Sequence, residues 1–240
     1  LSKLGIIAAL PAEADCLTKK ILKVGSPVEI QKDIYLCLSG IGYDAAQHSS
    51  KRLLELNVDA LISWGVAGSI ESSLKSGDLL LARKIINNTN SWTINPNWIS
   101  NCQMQLASTS INTVNADIAS SNDMCASVND KNNLSIKTGA LAVDMESAAI
   151  AELASENNID FLVVRAIADD ADTNIPKAVL EHTDTLGRPD IVPFILSCIS
   201  DPKQIKELWK LAKCYKQALN TLKLIAPDLK KQHFLYTSQK

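Results

Sequence analysis

ALAVDMESAAIAELASENNIDFLVVRAIADDAD, Ala140 to Asp172, holds a short strand, an Ala-rich helix and a second strand in immediate succession. Ile159–Asp169 is apolar at nearly every position and ends in acids. A strand with no polar face has to be covered on both sides, which is the situation in a parallel sheet flanked by helices. The acids at its carboxyl end then fall where open α/β sheets bind ligands.

The same unit repeats on the amino-terminal side. LGIIAAL (Leu4–Leu10) reads as a buried strand followed by a helix from about Ala12 to Ile21. Ile34–Gly42 is a strand ending in a glycine turn, and helical spacing follows from Tyr43 to Leu56. Asp59–Ile70 and Gly77–Ile86 are two further strands. The expected architecture is α/β, with a central, mostly parallel mixed sheet flanked by helices. Residues 1–240 are expected to form one domain, with 188–240 a helical extension. Asn87–Asn133 is rich in Asn, Ser and Thr and weakly periodic, and is expected to hold loops and one or two edge strands.

Composition narrows the class. The 240 residues carry 24 Lys+Arg against 26 Asp+Glu, and 46% are hydrophobic. That is the profile of a globular chain, not a disordered one. No apolar run approaches the length of a membrane span. The opening apolar segment is broken at Pro11 and reads as a strand, not a signal peptide. Six cysteines stand without a CxxC pair or a His cluster, so a zinc site is not expected; the reading as a whole implies no metal or organic cofactor. Reduced thiols are expected, and with them a cytoplasmic location. Residues 201–240 hold nine Lys against three acids, and the remainder has 15 basic and 23 acidic residues. The acidic body excludes nucleic-acid binding as the main role.

Candidate chemistry clusters at strand ends: Glu13, the turn Gly40–Gly42, the run Gly65–Val66–Ala67–Gly68, Asp144–Met145–Glu146, and Asp169. Glycine turns can offer amides to an anion or sugar, although small residues there also serve tight packing. Glu13 and Glu146 either favour a helix N-terminus or act as base and diol acceptor. Asp169 is either part of a solvated acid turn with Asp170 and Asp172 or a half-buried proton donor.

Taken together and in order, IIAALPAEA, SGIGYDAA, SWGVAGSIESSLKSGDLLLA, AVDMESAAIA and VVRAIADDAD resemble the nucleoside phosphorylase/nucleosidase superfamily, which includes the 5′-methylthioadenosine/S-adenosylhomocysteine nucleosidases. The resemblance implies cleavage of the N-glycosidic bond of an adenosine-type nucleoside, with release of adenine. It makes Asp169 the acid that protonates purine N7, Glu146 the ligand of the ribose hydroxyls, and Met145 the side chain beneath the sugar. The nucleophile enters the opposite face. It is either water held by Glu13 or phosphate held by the loops at Gly42 and Val66–Ala67–Gly68. Val66 stands where many relatives have Ser or Thr. Arginines at the usual phosphate positions are missing, and Lys19 or Lys20 could substitute for them. Met124 and Cys125 align with the base-contacting loop in place of a stacking aromatic, which leaves Trp92 or Trp98 as other builders of the base pocket. A homodimer is implied. A catalytically inactive nucleoside-binding protein is the non-enzyme alternative.

LGRPDIVPFILSCISDPKQIKELWKLAK resembles the extension of the hopanoid-associated phosphorylase branch, which implies a lipid-linked nucleoside, adenosylhopane. After Pro202 an amphipathic helix is expected, with Ile205, Leu208, Trp209, Ala212, Tyr215, Leu219 and Leu222 on one face and Lys203, Lys206, Lys210 and Lys213 on another. That helix either packs on the body with a solvated basic face or lies on an anionic membrane surface.

Overall fold

Four of the expected apolar runs lie side by side in the computed structural model, which describes residues 3–190 and 203–229. In chain order the elements are β1 (Leu4–Ala8), α1 (Pro11–Ala14), β2 (Val28–Gln31), β3 (Ile34–Leu38), α2 (Tyr43–Leu54), β4 (Ala60–Ser69), β5 (Leu79–Ile86), β6 (Ser91–Thr93), α3 (Pro96–Leu106), β7 (Thr113–Ser120), α4 (Val128–Thr138), β8 (Ala142–Asp144), α5 (Ser147–Glu156), β9 (Asp160–Asp169), α6 (Lys177–Glu181) and α7 (Lys203–Leu229). Strands β3, β1, β4 and β9 are mutually parallel neighbours. Their carboxyl ends therefore share one edge of the sheet.

The sheet is mixed, as expected. β5 runs antiparallel to β9, and β8 antiparallel to β4, while β7 is parallel to both β5 and β8. Those pairings close a ring, β4–β8–β7–β5–β9, from which β1, β3 and β2 extend as an open wing. Helices α2 and α5 pack together on one side, and α7 packs across β9 and β4. The core is aliphatic around Trp64, whose fully buried indole N–H donates to the backbone carbonyl of Glu13 at 3.1 Å. This bond ties α1 to the strand that carries Gly65–Gly68.

Several expectations are corrected. α1 is one turn long and does not reach Ile21. Leu17 is buried but Ile21 is 92% exposed, so no apolar stripe exists to hold a longer helix. β2 lies where no strand was expected, as the antiparallel edge beside β3. The 87–133 region contains one edge strand, β6, but also an interior strand and two helices. In α3, Asn95 caps the helix by accepting the Asn97 amide and Pro96 starts it, while Trp98, Ile99, Cys102 and Leu106 form its buried side.

The amphipathic face of α7 is rotated from the expected one. Cys214, Ala218, Leu222, Ile225 and Leu229 are buried, whereas Ile205 is 46% and Trp209 76% exposed. Ile191–Ile199 and Cys198 lie outside the described residues. Among the described residues, no helix is long and apolar enough to cross a membrane.

Candidate active site

The shared carboxyl edge of β1, β4 and β9, joined by the end of the antiparallel β8, floors a cavity of about 630 Å³. It is lined by Glu13, Val66, Ala67, Gly68, Met124, Cys125, Met145, Glu146 and Asp169. The structure thus brings together Glu13, the Val66–Gly68 run, Met124, Cys125, Met145, Glu146 and Asp169, and Gly42 contributes through its backbone amide.

Glu13 sits at the third position of α1 and is 2% exposed. Its Oε2 accepts the amides of Ala9 at 3.0 Å and Leu10 at 2.8 Å, the reach-back of a Glu toward its own helix cap. Its Oε1 accepts the amide of Val66 at 2.8 Å. The missing hydroxyl at position 66 thus removes a side-chain contact but not the backbone one. Burial pushes the Glu13 carboxyl above its ordinary range, against the opposing pull of Arg165 and the three amides. A buried carboxylate held on three bonds and raised in pKa is a preorganised proton acceptor.

Gly65 is required beside it. A methyl group there would lie 2.5 Å from both Glu13 Oε1 and Arg165 Nη1. Gly42, at φ 101°, adopts a backbone that other residues rarely reach, and in it the amide points at Glu146 Oε1 at 3.0 Å.

Arg165 was not singled out in the sequence. It is 1% exposed and stands in the middle of β9. Its Nε donates to Asp144 Oδ2 at 2.8 Å, and its Nη2 to Ser63 Oγ at 2.8 Å and Glu146 Oε2 at 3.4 Å. Ser147 adds its hydroxyl and amide to Asp144. The signal was present: a charged residue inside an apolar strand needs a buried partner. One guanidinium therefore serves the whole carboxylate group, and Glu146 is pushed up to about 7, first by burial, with Arg165 opposing and Asp144 reinforcing.

Asp169 ends β9 across a bulge from Gly68 and is 8% exposed. Lys131 of α4, with no exposure, donates to Asp169 Oδ2. Burial raises the Asp169 pKa and Lys131 lowers it, and burial wins. Met124, 40% exposed, and Cys125 stand on the loop before α4.

Trp92 and Trp98 do not line the cavity; Trp98 is buried under α3 and Trp92 lies on the edge strand β6. Lys19 and Lys20 point elsewhere, at the carbonyls of Asp15 and Glu29. The aromatic at the site is Tyr215 of α7, and Arg188 stands at the rim. The outer wall is apolar, built by Ile175, Val179, Leu186, Leu208 and Leu211.

A ring-closed mixed sheet with four buried carboxylates and one buried arginine gathered at one edge is the plan of a nucleoside-cleaving α/β protein. The chain belongs to the Phosphorylase superfamily, whose family model matches residues 3–188. It is similar to the 5′-methylthioadenosine/S-adenosylhomocysteine nucleosidase of Buchnera aphidicola subsp. Acyrthosiphon pisum, with 27% identity over 76% of this chain and 91% of that protein. Its fold is similar to the nucleosidase of that name from Neisseria meningitidis in complex with methylthio-immucillin-A (TM-score 0.71, 18% identity, 96% of this chain and 99% of that one). It is also similar in fold to the futalosine hydrolase of Helicobacter pylori (TM-score 0.68, 20% identity, 95% and 98%).

Proposed function

We propose that the protein is a nucleosidase that hydrolyses the N-glycosidic bond of an adenosine-type nucleoside with an apolar 5′ substituent. One observation carries the choice of water over phosphate. The loop amides that would cradle a phosphate are already bonded to carboxylates: Ala9, Leu10 and Val66 to Glu13, and Gly42 to Glu146. Arg165 is likewise committed to Asp144 and Glu146. A phosphate would find few donors and several anions.

In this reading Asp169 gives a proton to N7 of the base, and the bond from N9 to the anomeric carbon breaks. Glu146 holds the ribose hydroxyls and, with its neighbours, stabilises positive charge growing on the sugar. Met145 packs beneath the ring. Glu13 takes a proton from water as its oxygen bonds to the anomeric carbon. The base leaves neutral, and the sugar keeps its 5′ substituent. Met124 and Cys125 form one wall of the base pocket.

The test is adenine release from adenosine, 5′-methylthioadenosine and S-adenosylhomocysteine, each with and without phosphate. Release without phosphate, abolished in Glu13→Gln, is expected. Release that requires phosphate would reverse the assignment. Binding without release from any nucleoside would favour the inactive binding protein.

The apolar outer wall favours a finer reading, in which the 5′ group is a lipid such as the hopane of adenosylhopane. Support comes from α7, where Ile205 and Trp209 are exposed beside exposed Lys206, Lys210 and Lys213. That surface suits an anionic bilayer from which a cytoplasmic enzyme could draw its substrate. Flotation with anionic vesicles at low salt tests the contact. Sedimentation tests the homodimer that the family resemblance implies.

A further inference from the structure

Lys131 is the fully buried lysine among the described residues, and the proposed reaction gives it no task. Its ammonium donates to three oxygens: Asp169 Oδ2, the Asp170 carbonyl at 2.9 Å and the Thr173 carbonyl at 2.9 Å. All three N–H bonds are spent, so the group is a fixed strut and not a mobile charge. A lysine buried only to pair a surface acid would be poor economy, since desolvating both charges offsets most of their attraction. Here the strut reaches from α4, directly after the Asp123–Met124–Cys125 loop that lines the cavity, to the buried carboxylate of Asp169.

We infer that Lys131 is a positioning residue for the proton donor: it pins Asp169 by Oδ2 and leaves Oδ1 as the oxygen that carries the proton toward the base. The inference rests on the reading of Asp169 as the acid. Three consequences follow from the geometry. The carboxyl has one rotamer and one proton-bearing oxygen, which is the orientation that makes proton transfer efficient. The turn 170–173 is locked to α4 through its carbonyls, so the base-side loop and the acid move as one body. Finally, the cation opposes burial at Asp169 and keeps the acid strong enough to give its proton up. The other charged or titratable groups near Asp169 are Asp170, which accepts the Ser76 amide and hydroxyl, and Cys125.

The experiment pairs two leaving groups. Adenine needs a proton to depart; p-nitrophenolate, from p-nitrophenyl β-ribofuranoside, does not. Lys131→Gln and Lys131→Met should lower kcat for adenine release about 100-fold, the cost of an acid displaced by about an ångström. KM should change little, and p-nitrophenolate release should be retained. The alkaline limb of the adenine pH–rate profile should move up, because loss of the cation leaves Asp169 holding its proton to higher pH. Equal loss on both substrates, or an unmoved limb, would show a purely structural lysine and overturn the inference.

Asp169→Asn separates the two claims. If that variant still releases adenine at the normal rate, the acid assignment itself falls; if it is inactive while Lys131→Gln is normal, only the strut falls. Should neither lysine variant fold, ¹⁵N-lysine spectra of the unmodified protein decide. One exchange-protected ammonium signal should be present and should shift in Asp169→Asn; a signal that does not shift would overturn the inference.

Discussion

The two ends of the cavity solve the problem of buried charge in opposite ways. At the sugar end Asp144 and Glu146 share the single guanidinium of Arg165, with Glu13 close beside it at Gly65. At the base end one carboxylate, Asp169, has one ammonium of its own. The first arrangement is deficient in positive charge. In the proposed reaction it would favour a cation on the sugar and leave Glu13 ready to take a proton. The second is balanced, and its acid is held between burial, which retains the proton, and Lys131, which helps release it. The contrast teaches that buried carboxylates are given roles by the number of cations assigned to them, as much as by their depth.

The largest effect should come from removing the shared cation. Arg165→Met leaves Asp144 and Glu146 buried without a counter-charge, which costs about 3–5 kcal/mol of stability. Urea denaturation would show it, and a loss below 1 kcal/mol would mean that the carboxylates do not depend on Arg165. Asp169→Asn strikes the other end. Lys131 keeps an oxygen acceptor, so the fold should survive, while adenine release should fall by about 10²–10⁴-fold with substrate affinity retained. A large stability loss with modest kinetic loss would invert the comparison.

A steric change tests how tightly the sugar end is built. Gly65→Ala places a methyl 2.5 Å from Glu13 Oε1 and Arg165 Nη1 at once. Overpacking of this kind costs about 1–3 kcal/mol, and turnover should fall with it because Glu13 must move. The corresponding thermal midpoint shift is easily measured; an unchanged midpoint would mean that the two side chains have room to spare.

Acidity provides a subtler probe. Glu146 ordinarily ionises near 4.5 and is raised to about 7 in the fold. The folded state therefore holds this proton more tightly than the unfolded one. The stability so gained is complete below about pH 4.5 and is lost as pH rises through 7. Glu13 and Asp169 are raised as well and act with the same sign. Unfolding free energy should decline from pH 5 to pH 8, and Glu146→Gln should flatten the slope. A rise over that interval would contradict the charge-deficient picture.

These two ends were unequally legible in the sequence. Glu13 follows, and Asp169 ends, a strand that is apolar at nearly every position, and Glu146 follows the short β8; the end of a strand in a largely parallel sheet is a place as well as a pattern. Their cations were hidden. Lys131 lies in a polar stretch, VNDKNNLSIKT, where a lysine reads as solvated, and its partner is 38 residues away. Arg165 could have been found, because no charge sits inside an apolar strand unpaired. β7 is hard to read because Asn115 and Asp117 interrupt its apolar residues, and the apolar but 92% exposed Ile21 draws the expected helix well past the one turn that α1 makes. Local pattern placed the acids; only tertiary closure could place what neutralises them.

The smallest predicted effect lies outside both charged ends, on the apolar wall that α7 supplies. Leu211 is partly buried and lines the cavity, so trimming it removes apolar surface that a 5′ substituent would cover. Leu211→Ala should weaken binding of 5′-methylthioadenosine by about 1–2 kcal/mol, roughly a tenfold rise in KM, at the usual value of buried apolar area. Adenosine presents only a hydroxyl at that position and should be nearly indifferent. Since no charge changes, kcat and its pH profile should stay where they are for both nucleosides. A fall in kcat for adenosine would mean that α7 holds Tyr215 and the catalytic end in place, and that the wall is not a separate specificity element. Selective loss of the apolar substrate would instead separate recognition of the 5′ group from the chemistry, leaving the two charged ends to act alike on any adenosine that fits between them.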